Sequence, residues 1–140
     1  MPRPAVDARP ARGLVDTSIV IDLTGIEPAQ LPSEIAISAV TLAELAAGPH
    51  ATTDLAERAR RQDRLQRAEA TFDPLPIDAS VARAYGRIYA AVVASGRKAR
   101  GRRAVDLLIA ATALAAGLPL YTRNPDDFAG LDDLLEIVAI

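Results

Sequence analysis

Short apolar runs alternate with longer segments of helical periodicity along most of this chain. The short runs predict buried strands, because brief apolar stretches bounded by turn residues are typical of parallel sheets. The longer segments place apolar residues three or four positions apart, which predicts helices with one buried face. Strands are predicted at 13–16, 35–38, 75–77, 118–122 and 135–140, and helices at 17–23, 40–47, 54–70, 78–96 and 104–116.

This order of elements predicts an α/β fold in which a mainly parallel sheet lies between two layers of helices, a three-layer α/β/α domain. The 140 residues suit one compact domain. Thr17 or Ser18 is the predicted N-cap of the first helix. Residues 1–12 contain three Pro and have no periodicity, so they are predicted to form a flexible tail, and residues 13–140 the folded domain.

The composition excludes several kinds of site. The chain has no Cys, which excludes disulfides, thiolate metal sites and cysteine nucleophiles. Its single histidine, His50, cannot supply a two-histidine mechanism. No apolar stretch approaches the roughly 20 residues that span a bilayer, and the N-terminus has no hydrophobic signal core. We therefore expect a cytoplasmic protein without a membrane segment.

The charges are unevenly distributed although the net charge is only -2. Residues 57–103 carry twelve Arg and Lys against five acids, whereas residues 104–140 carry one Arg against six acids. Acids that hold cations, next to cations that bind phosphates, are what a metal-dependent nuclease needs. Charge alone, however, favours the simpler interpretation that the arginines form the solvated faces of helices.

Several polar residues follow predicted strands or interrupt apolar helices. Asp16 ends the first strand, and the run 122–124 ends a later one. Ligands bind beyond the carboxyl ends of strands in open parallel sheets. Glu44 and Asp106 lie in otherwise apolar helical segments, where an ionised carboxylate is costly unless it is paired or bound to a metal. Asp106 could also be a helix N-terminal carboxylate stabilised by the helix dipole, and these two interpretations are equally weighted.

Four segments together resemble the motifs of the PIN domain: LVDTS at 14–18, VTLAEL at 40–45, AVDLLIAATAL at 104–114 and YTRNPDDF at 121–128. More narrowly, they resemble the VapC-type toxins of bacterial VapBC toxin–antitoxin pairs. Each motif alone is weak, but their order and spacing in a chain of this size are specific. The resemblance extends from about Leu14 to the end of the chain.

The resemblance implies a role for each acid. Asp16, Glu44 and Asp106 match the first three acids of the family, which are catalytic and bind metal. The fourth position varies among relatives, and here either Asn124 or Asp127 matches it. We predict that Asp127 is the fourth acid and that Asn124 is a supporting polar group. An Asn ligand in its place would leave one charge fewer and weaken the case for a second metal ion.

The resemblance also implies the chemistry. Mg²⁺ or Mn²⁺ is the expected cofactor, because both ions prefer oxygen ligands. The expected reaction is hydrolysis of an RNA phosphodiester by a metal-activated water, which leaves a 5′-phosphate and a 3′-hydroxyl. Ser18 and Thr122 are expected to support the carboxylates or a bound water.

A basic run precedes Asp106 and is predicted to contact RNA because it adjoins the site. The predicted RNA-binding residues are Arg97, Lys98, Arg100, Arg102, Arg103 and, beside the fourth motif, Arg123. The five arginines of the 54–70 helix could also bind phosphates, but by themselves they are more typical of a solvated helix face.

Other assignments fit less well. A phosphatase of the haloacid dehalogenase type needs DxDxT where this chain has DTSIV. A receiver domain needs a Lys late in the sheet, but the only Lys here is Lys98, and a P-loop enzyme needs GxxxxGK[ST], which this chain lacks. The remaining alternative is a catalytically weak PIN-like module that binds RNA or protein. For a toxin, the resemblance implies a homodimer that is inhibited by a cognate VapB-type antitoxin.

Overall fold

A sheet of four parallel strands forms the centre of the computed structural model, which describes residues 11–98 and 101–140. The strands are β1 (Arg12–Val15), β2 (Glu34–Ala36), β3 (Leu120–Thr122) and β4 (Ile137–Ala139), and their order across the sheet is β2-β1-β3-β4. Each neighbouring pair is parallel. The parallel sheet confirms the predicted α/β class. The run predicted as a strand at 75–77 forms only a single bridge, between Ser38 and Leu75.

Five α-helices follow in the predicted order within the described residues. They are α1 (Thr17–Ile21), α2 (Ala39–Ala47), α3 (Leu55–Thr71), α4 (Ala79–Ala94) and α5 (Arg102–Ala116). Short 3-10 helices lie at Leu23–Gly25, Pro28–Gln30, Gly48–Ala51 and Pro125–Phe128. The predicted extent of the first helix was wrong, because α1 ends at Ile21 and the chain then tightens into the first 3-10 helix.

Aspartate side chains cap three of the helices. Asp54 and Asp78 accept backbone N–H bonds at the starts of α3 and α4, so each helix begins one residue after its predicted start. Asp16 caps α1, where its carboxylate accepts the backbone N–H of Ile19 at 3.3 Å. The prediction of Thr17 or Ser18 as this cap was wrong, because the hydroxyls of both residues bond to carboxylates instead.

Alternate strand residues enter two separate cores. Leu14 and Leu120 belong to the core under α4 and α5, whereas the next residues, Val15 and Tyr121, belong to the core under α1, α2 and α3. Successive strand side chains point to opposite faces, so helices must cover both faces of the sheet. This arrangement confirms the three-layer prediction and places the carboxyl ends of β1 and β3 side by side.

Gly13 lets the two central strands carry a large aromatic ring. A Cβ at this position would lie 2.6 Å from Cε1 of Tyr121 and 2.9 Å from its Cδ1. Tyr121 is 2 % exposed and is the largest fully buried side chain of the described residues. A side chain at position 13 would therefore displace this ring from the core.

The predicted boundary between a tail and a folded domain stays a prediction, because residues 1–10 lie outside the described part. Arg12 already pairs with Glu34 in the sheet, one residue before the predicted boundary. None of the helices in the described ranges has the length and apolar character that crossing a bilayer requires.

Candidate active site

Four carboxylates from four different elements line one cavity of about 580 Å³. Asp16 follows β1, Glu44 lies on α2, Asp106 on α5, and Asp127 in the 3-10 helix after β3. Asn124 lines the same cavity. The structure therefore brings together the four predicted acids and the predicted supporting amide, although up to 111 residues separate them in the sequence.

Asp16 is held at the bottom of this cavity by two hydroxyl groups. Its side chain is buried, with 6 % exposed, and Ser18 Oγ donates to its Oδ1 at 2.5 Å. Thr122 Oγ1 donates to its Oδ2 at 2.5 Å from the end of β3. Hydrogen bonds to both oxygens satisfy the buried carboxylate and fix its orientation. Ser18 and Thr122 thus contact an acid, as the sequence predicted.

Backbone groups of the fourth motif hold the same two hydroxyls. The Asn124 N–H donates to Thr122 Oγ1 at 2.9 Å, and the Arg123 N–H donates to Ser18 Oγ at 3.4 Å. Each hydroxyl therefore accepts one backbone bond while it donates to Asp16. This network ties the start of α1 to the segment after β3.

Glu44 has a hydroxyl partner that the sequence did not predict. Thr17 Oγ1 lies 2.6 Å from Glu44 Oε1 and 3.1 Å from Thr41 Oγ1. Because an ionised carboxylate only accepts, the Thr17 hydroxyl donates to Glu44 and accepts from Thr41, which is fully buried. Thr41 lies one turn before Glu44 on α2, so the three residues connect α1 to the exposed carboxylate. From the sequence alone, Thr17 was predicted only as a possible helix cap.

Asp106 is the electrostatically costly member of the site. Burial, followed by the charges of Asp127, Glu44 and Asp16, raises its pKa from the ordinary 3.8 to about 6, while Arg103 lowers it. Its carboxylate makes no hydrogen bond or ion pair with any described residue. Three neighbouring acids that oppose its ionisation would favour a bound cation.

The alternative interpretation of Asp106 as a helix N-terminal carboxylate was wrong. α5 begins at Arg102, two residues before its predicted start, so Asp106 lies beyond the first turn. The favourable effect of the helix dipole falls off within that turn. A stabilised N-terminal carboxylate would have a lowered pKa, whereas the pKa of Asp106 is raised.

Two of the arginines that were predicted to bind RNA donate to backbone oxygens of the fourth motif. Arg103 lines the cavity and donates to the backbone oxygen of Asp127 at 2.9 Å. Arg97 donates to the backbone oxygen of Asp126 at 3.0 Å. These two bonds hold the 3-10 helix that carries Asp127.

The remaining predicted RNA-binding residues are Arg123, Lys98, Arg102 and Arg100. Arg123 forms an ion pair of 2.7 Å with Asp22, between partly exposed side chains. Lys98 is exposed. Arg102 is the first residue of α5, and Arg100 lies outside the described residues.

The donor set consists of oxygen atoms, which suits Mg²⁺ or Mn²⁺ better than softer metals. Among the residues that the structure describes, however, no three carboxylates are close enough to enclose one ion as they stand. An ion shared by these acids would require side chains to rotate into the cavity. Glu44 is exposed and has the longest side chain of the four, so it has the most freedom to do so.

Comparisons with known proteins agree with this geometry. The PIN domain family model matches residues 13–134. Ribonuclease VapC5 of Mycobacterium tuberculosis (strain ATCC 25618 / H37Rv) is 38% identical over 136 residues, which cover 94% of this chain and 96% of that protein. Ribonuclease VapC8 of M. tuberculosis (strain CDC 1551 / Oshkosh) is 39% identical over 102 residues, 72% of this chain and 89% of that protein.

A solved structure agrees as well. The crystal structure of VapBC-5 from M. tuberculosis, described as a member of the VapBC family of toxin–antitoxin systems, matches with a TM-score of 0.79 and 38% identity. The match covers 94% of this chain and 100% of the other.

Proposed function

Because the chain belongs to the PIN-domain family, we propose that it is a divalent-metal-dependent endoribonuclease and the toxin of a toxin–antitoxin pair. One observation carries this proposal: four carboxylates line a single cavity, in which burial and the charges of the other three raise the pKa of Asp106 to about 6. Relatives that are similar over most of the chain are named ribonucleases. Carboxylates with a raised pKa that are gathered in a cavity are typical of functional sites, where a cation or a substrate balances their charge.

Asp16, Glu44, Asp106 and Asp127 would hold the cation, Mg²⁺ or Mn²⁺. When bound, the cation would offset the repulsion among the acids, polarise the scissile phosphate and lower the pKa of an attacking water. Asn124 has an uncharged amide and would orient a water or a phosphate oxygen. Among the three neighbouring acids, Asp127 raises the pKa of Asp106 the most, which supports Asp127 as the fourth acid.

The chain's own residues would prepare the site in two ways. Ser18 and Thr122 fix both oxygens of Asp16, so this acid does not have to be ordered when substrate binds. Asp106 has no partner in the described protein, so its carboxylate is available inside the cavity. Hydrolysis would form a bond between water oxygen and phosphorus and break the bond to the 3′ oxygen, which leaves as a hydroxyl.

The basic run would hold the RNA next to the cavity. Arg97 and Arg103 each use one donor on a backbone oxygen, and a guanidinium has five. Both can therefore still contact a phosphate, together with Lys98, Arg100, Arg102 and Arg123. An RNA substrate would place the protein in the cytoplasm.

A VapB-type antitoxin is the proposed partner, since the matched structure is of a VapBC toxin–antitoxin system. We also propose a homodimer. In support, α4 leaves Tyr89 43% and Val93 53% exposed, and a second copy would cover these apolar side chains.

The test is cleavage of structured and single-stranded RNAs by antitoxin-free protein in Mg²⁺, Mn²⁺ or EDTA. We expect metal-dependent cleavage that is lost in Asp16→Asn and Asp106→Asn and kept in Asp132→Asn, an exposed acid outside the cavity. Circular dichroism would check that each variant is folded. Absence of cleavage and of calorimetric metal binding would instead support the alternative of a PIN-like binding module.

A further inference from the structure

Two more cavities, each of about 340 Å³, extend from the catalytic cavity along α3. The first shares Thr17, Ile21 and Glu44 with the catalytic cavity, and the second shares Ile21 and Arg64 with the first. The three cavities are therefore neighbours along the surface. We call the two outer ones the α3 groove, whose walls include Ile21, Leu23, Arg60, Arg61, Arg64 and Arg67.

Beyond Glu44, the walls of the α3 groove carry an excess of positive charge. Four arginines line them against two acids, Glu57 and Asp63. Both acids are already neutralised: Glu57 pairs with Arg60 at 2.7 Å and with Arg61 at 3.1 Å, and Asp63 pairs with Arg67 at 2.6 Å.

Arg64 alone among the arginines of α3 has no hydrogen bond or ion pair with a described residue. Arg58 donates to two backbone oxygens at the start of the helix, and Arg61 donates to the Gly48 oxygen at 2.9 Å. Arg64 is only partly exposed and lies where the two cavities of the groove meet. A partly buried guanidinium without a partner is costly and offers a site for an anion.

We infer that the α3 groove binds the RNA strand that leaves the catalytic cavity, and that Arg64 contacts a phosphate of that strand. This inference rests on the proposed ribonuclease function. The groove continues from the carboxylates that would face the scissile phosphate, and its excess charge has the opposite sign to that of RNA. Its apolar wall contains Ile21, 45% exposed, Leu23 and Phe72, against which bases would pack.

This assignment differs from the solvated face that the sequence indicated for these arginines. Four of the five bond to the protein, and three of these four also line the groove, which leaves Arg64 to meet the ligand. Arg97, Arg103 and Arg123, in contrast, already bond to the protein around the fourth motif.

The first test is binding, measured by fluorescence anisotropy with a labelled single-stranded RNA of about twelve nucleotides. EDTA prevents cleavage, and low salt favours phosphate contacts. We expect Arg64→Gln to weaken binding about tenfold. The logarithm of the association constant should also fall less steeply with the logarithm of the salt concentration, by about 0.7, the value for one phosphate of a single strand. Arg64→Lys should keep most of the affinity. The matched control is Arg87→Gln, an exposed arginine on α4 that lines none of the three cavities.

The second test is cleavage in Mn²⁺. The wild type and Arg64→Gln should cut a dinucleotide equally, because it fills only the catalytic cavity, whereas KM for the longer RNA should rise in the variant with little change in kcat. Equal binding by Arg64→Gln and Arg87→Gln would overturn the inference. It would also be overturned if Arg64→Gln bound RNA normally but no longer bound a co-expressed antitoxin, since the groove would then be a protein-binding surface. Failure of the wild type to cut either RNA would refute the ribonuclease function, and the anisotropy result would still decide the role of Arg64.

Discussion

Replacing Asp106 by Asn should stabilise the fold while it abolishes cleavage. Burial and three neighbouring acids raise the pKa of Asp106 from 3.8 to about 6. One pH unit of difference in pKa corresponds to about 1.4 kcal/mol, which sets an upper limit of about 3 kcal/mol on the cost of ionising Asp106 in the folded protein. Because solvent reaches part of the side chain, we expect about 1–2 kcal/mol.

The sign of this effect gives it a characteristic dependence on pH. Well below pH 3.8 the carboxyl group is protonated in both the folded and the unfolded protein, so it contributes no cost. Between about pH 4 and 6 the unfolded chain loses this proton first, and the free energy of unfolding falls as the pH rises. Above pH 6 the cost is constant. Asn carries no charge and has no such cost at any pH.

Urea unfolding in EDTA, followed by circular dichroism, measures the difference. Asp106→Asn should exceed the wild type in free energy of unfolding by about 1–2 kcal/mol at pH 8 and by about a third of that at pH 4. Asp132→Asn, at an exposed acid, should match the wild type at both pH values. Mg²⁺ should stabilise the wild type more than Asp106→Asn, by about 1.4 kcal/mol at ten times the dissociation constant. If Asp106→Asn were no more stable than the wild type at pH 8, the ionised Asp106 would not destabilise the fold and the reasoning would be refuted.

Three further substitutions test the supports of the site and of the sheet. Thr17→Val should lower the rate of cleavage, and Thr17→Ser, which keeps the hydroxyl, should not. In a Glu44→Gln background Thr17→Val should cause no further loss, because the hydroxyl acts through that acid. Additive losses in this double-mutant cycle would count against the link. Thr122→Val should lower the free energy of unfolding by about 1–3 kcal/mol, because a buried oxygen of Asp16 loses its hydrogen-bond donor. Urea unfolding measures this change, and an unchanged free energy would mean that the bond is unimportant for stability. Gly13→Ala should cost about 1–3 kcal/mol and perturb the near-ultraviolet signal of Tyr121, and a neutral effect would mean that the ring can move at no cost.

Local patterns in the sequence determined the elements of this fold. Strands such as β1 and β3 are short apolar runs, and each helix has its own periodicity and termini, so residues within one or two turns supply the information. Asp54 and Asp78 act as caps on α3 and α4 through bonds to residues two or three positions away. The four motifs together, through their order and spacing, indicated the family, and the acids at 16, 44, 106 and 127 within them line the cavity.

Only the tertiary structure decided how the site residues are paired. The strand order β2-β1-β3-β4 places the end of β3 beside the end of β1, so that Thr122 reaches Asp16 across 106 positions of sequence. Packing of α1 on α2 likewise gives Thr17 its contact with Glu44. The pKa of Asp106 depends on three acids that come from other elements. No sequence pattern marked Arg64 among five similar arginines, because the presence or absence of a partner is a property of the folded surface around it.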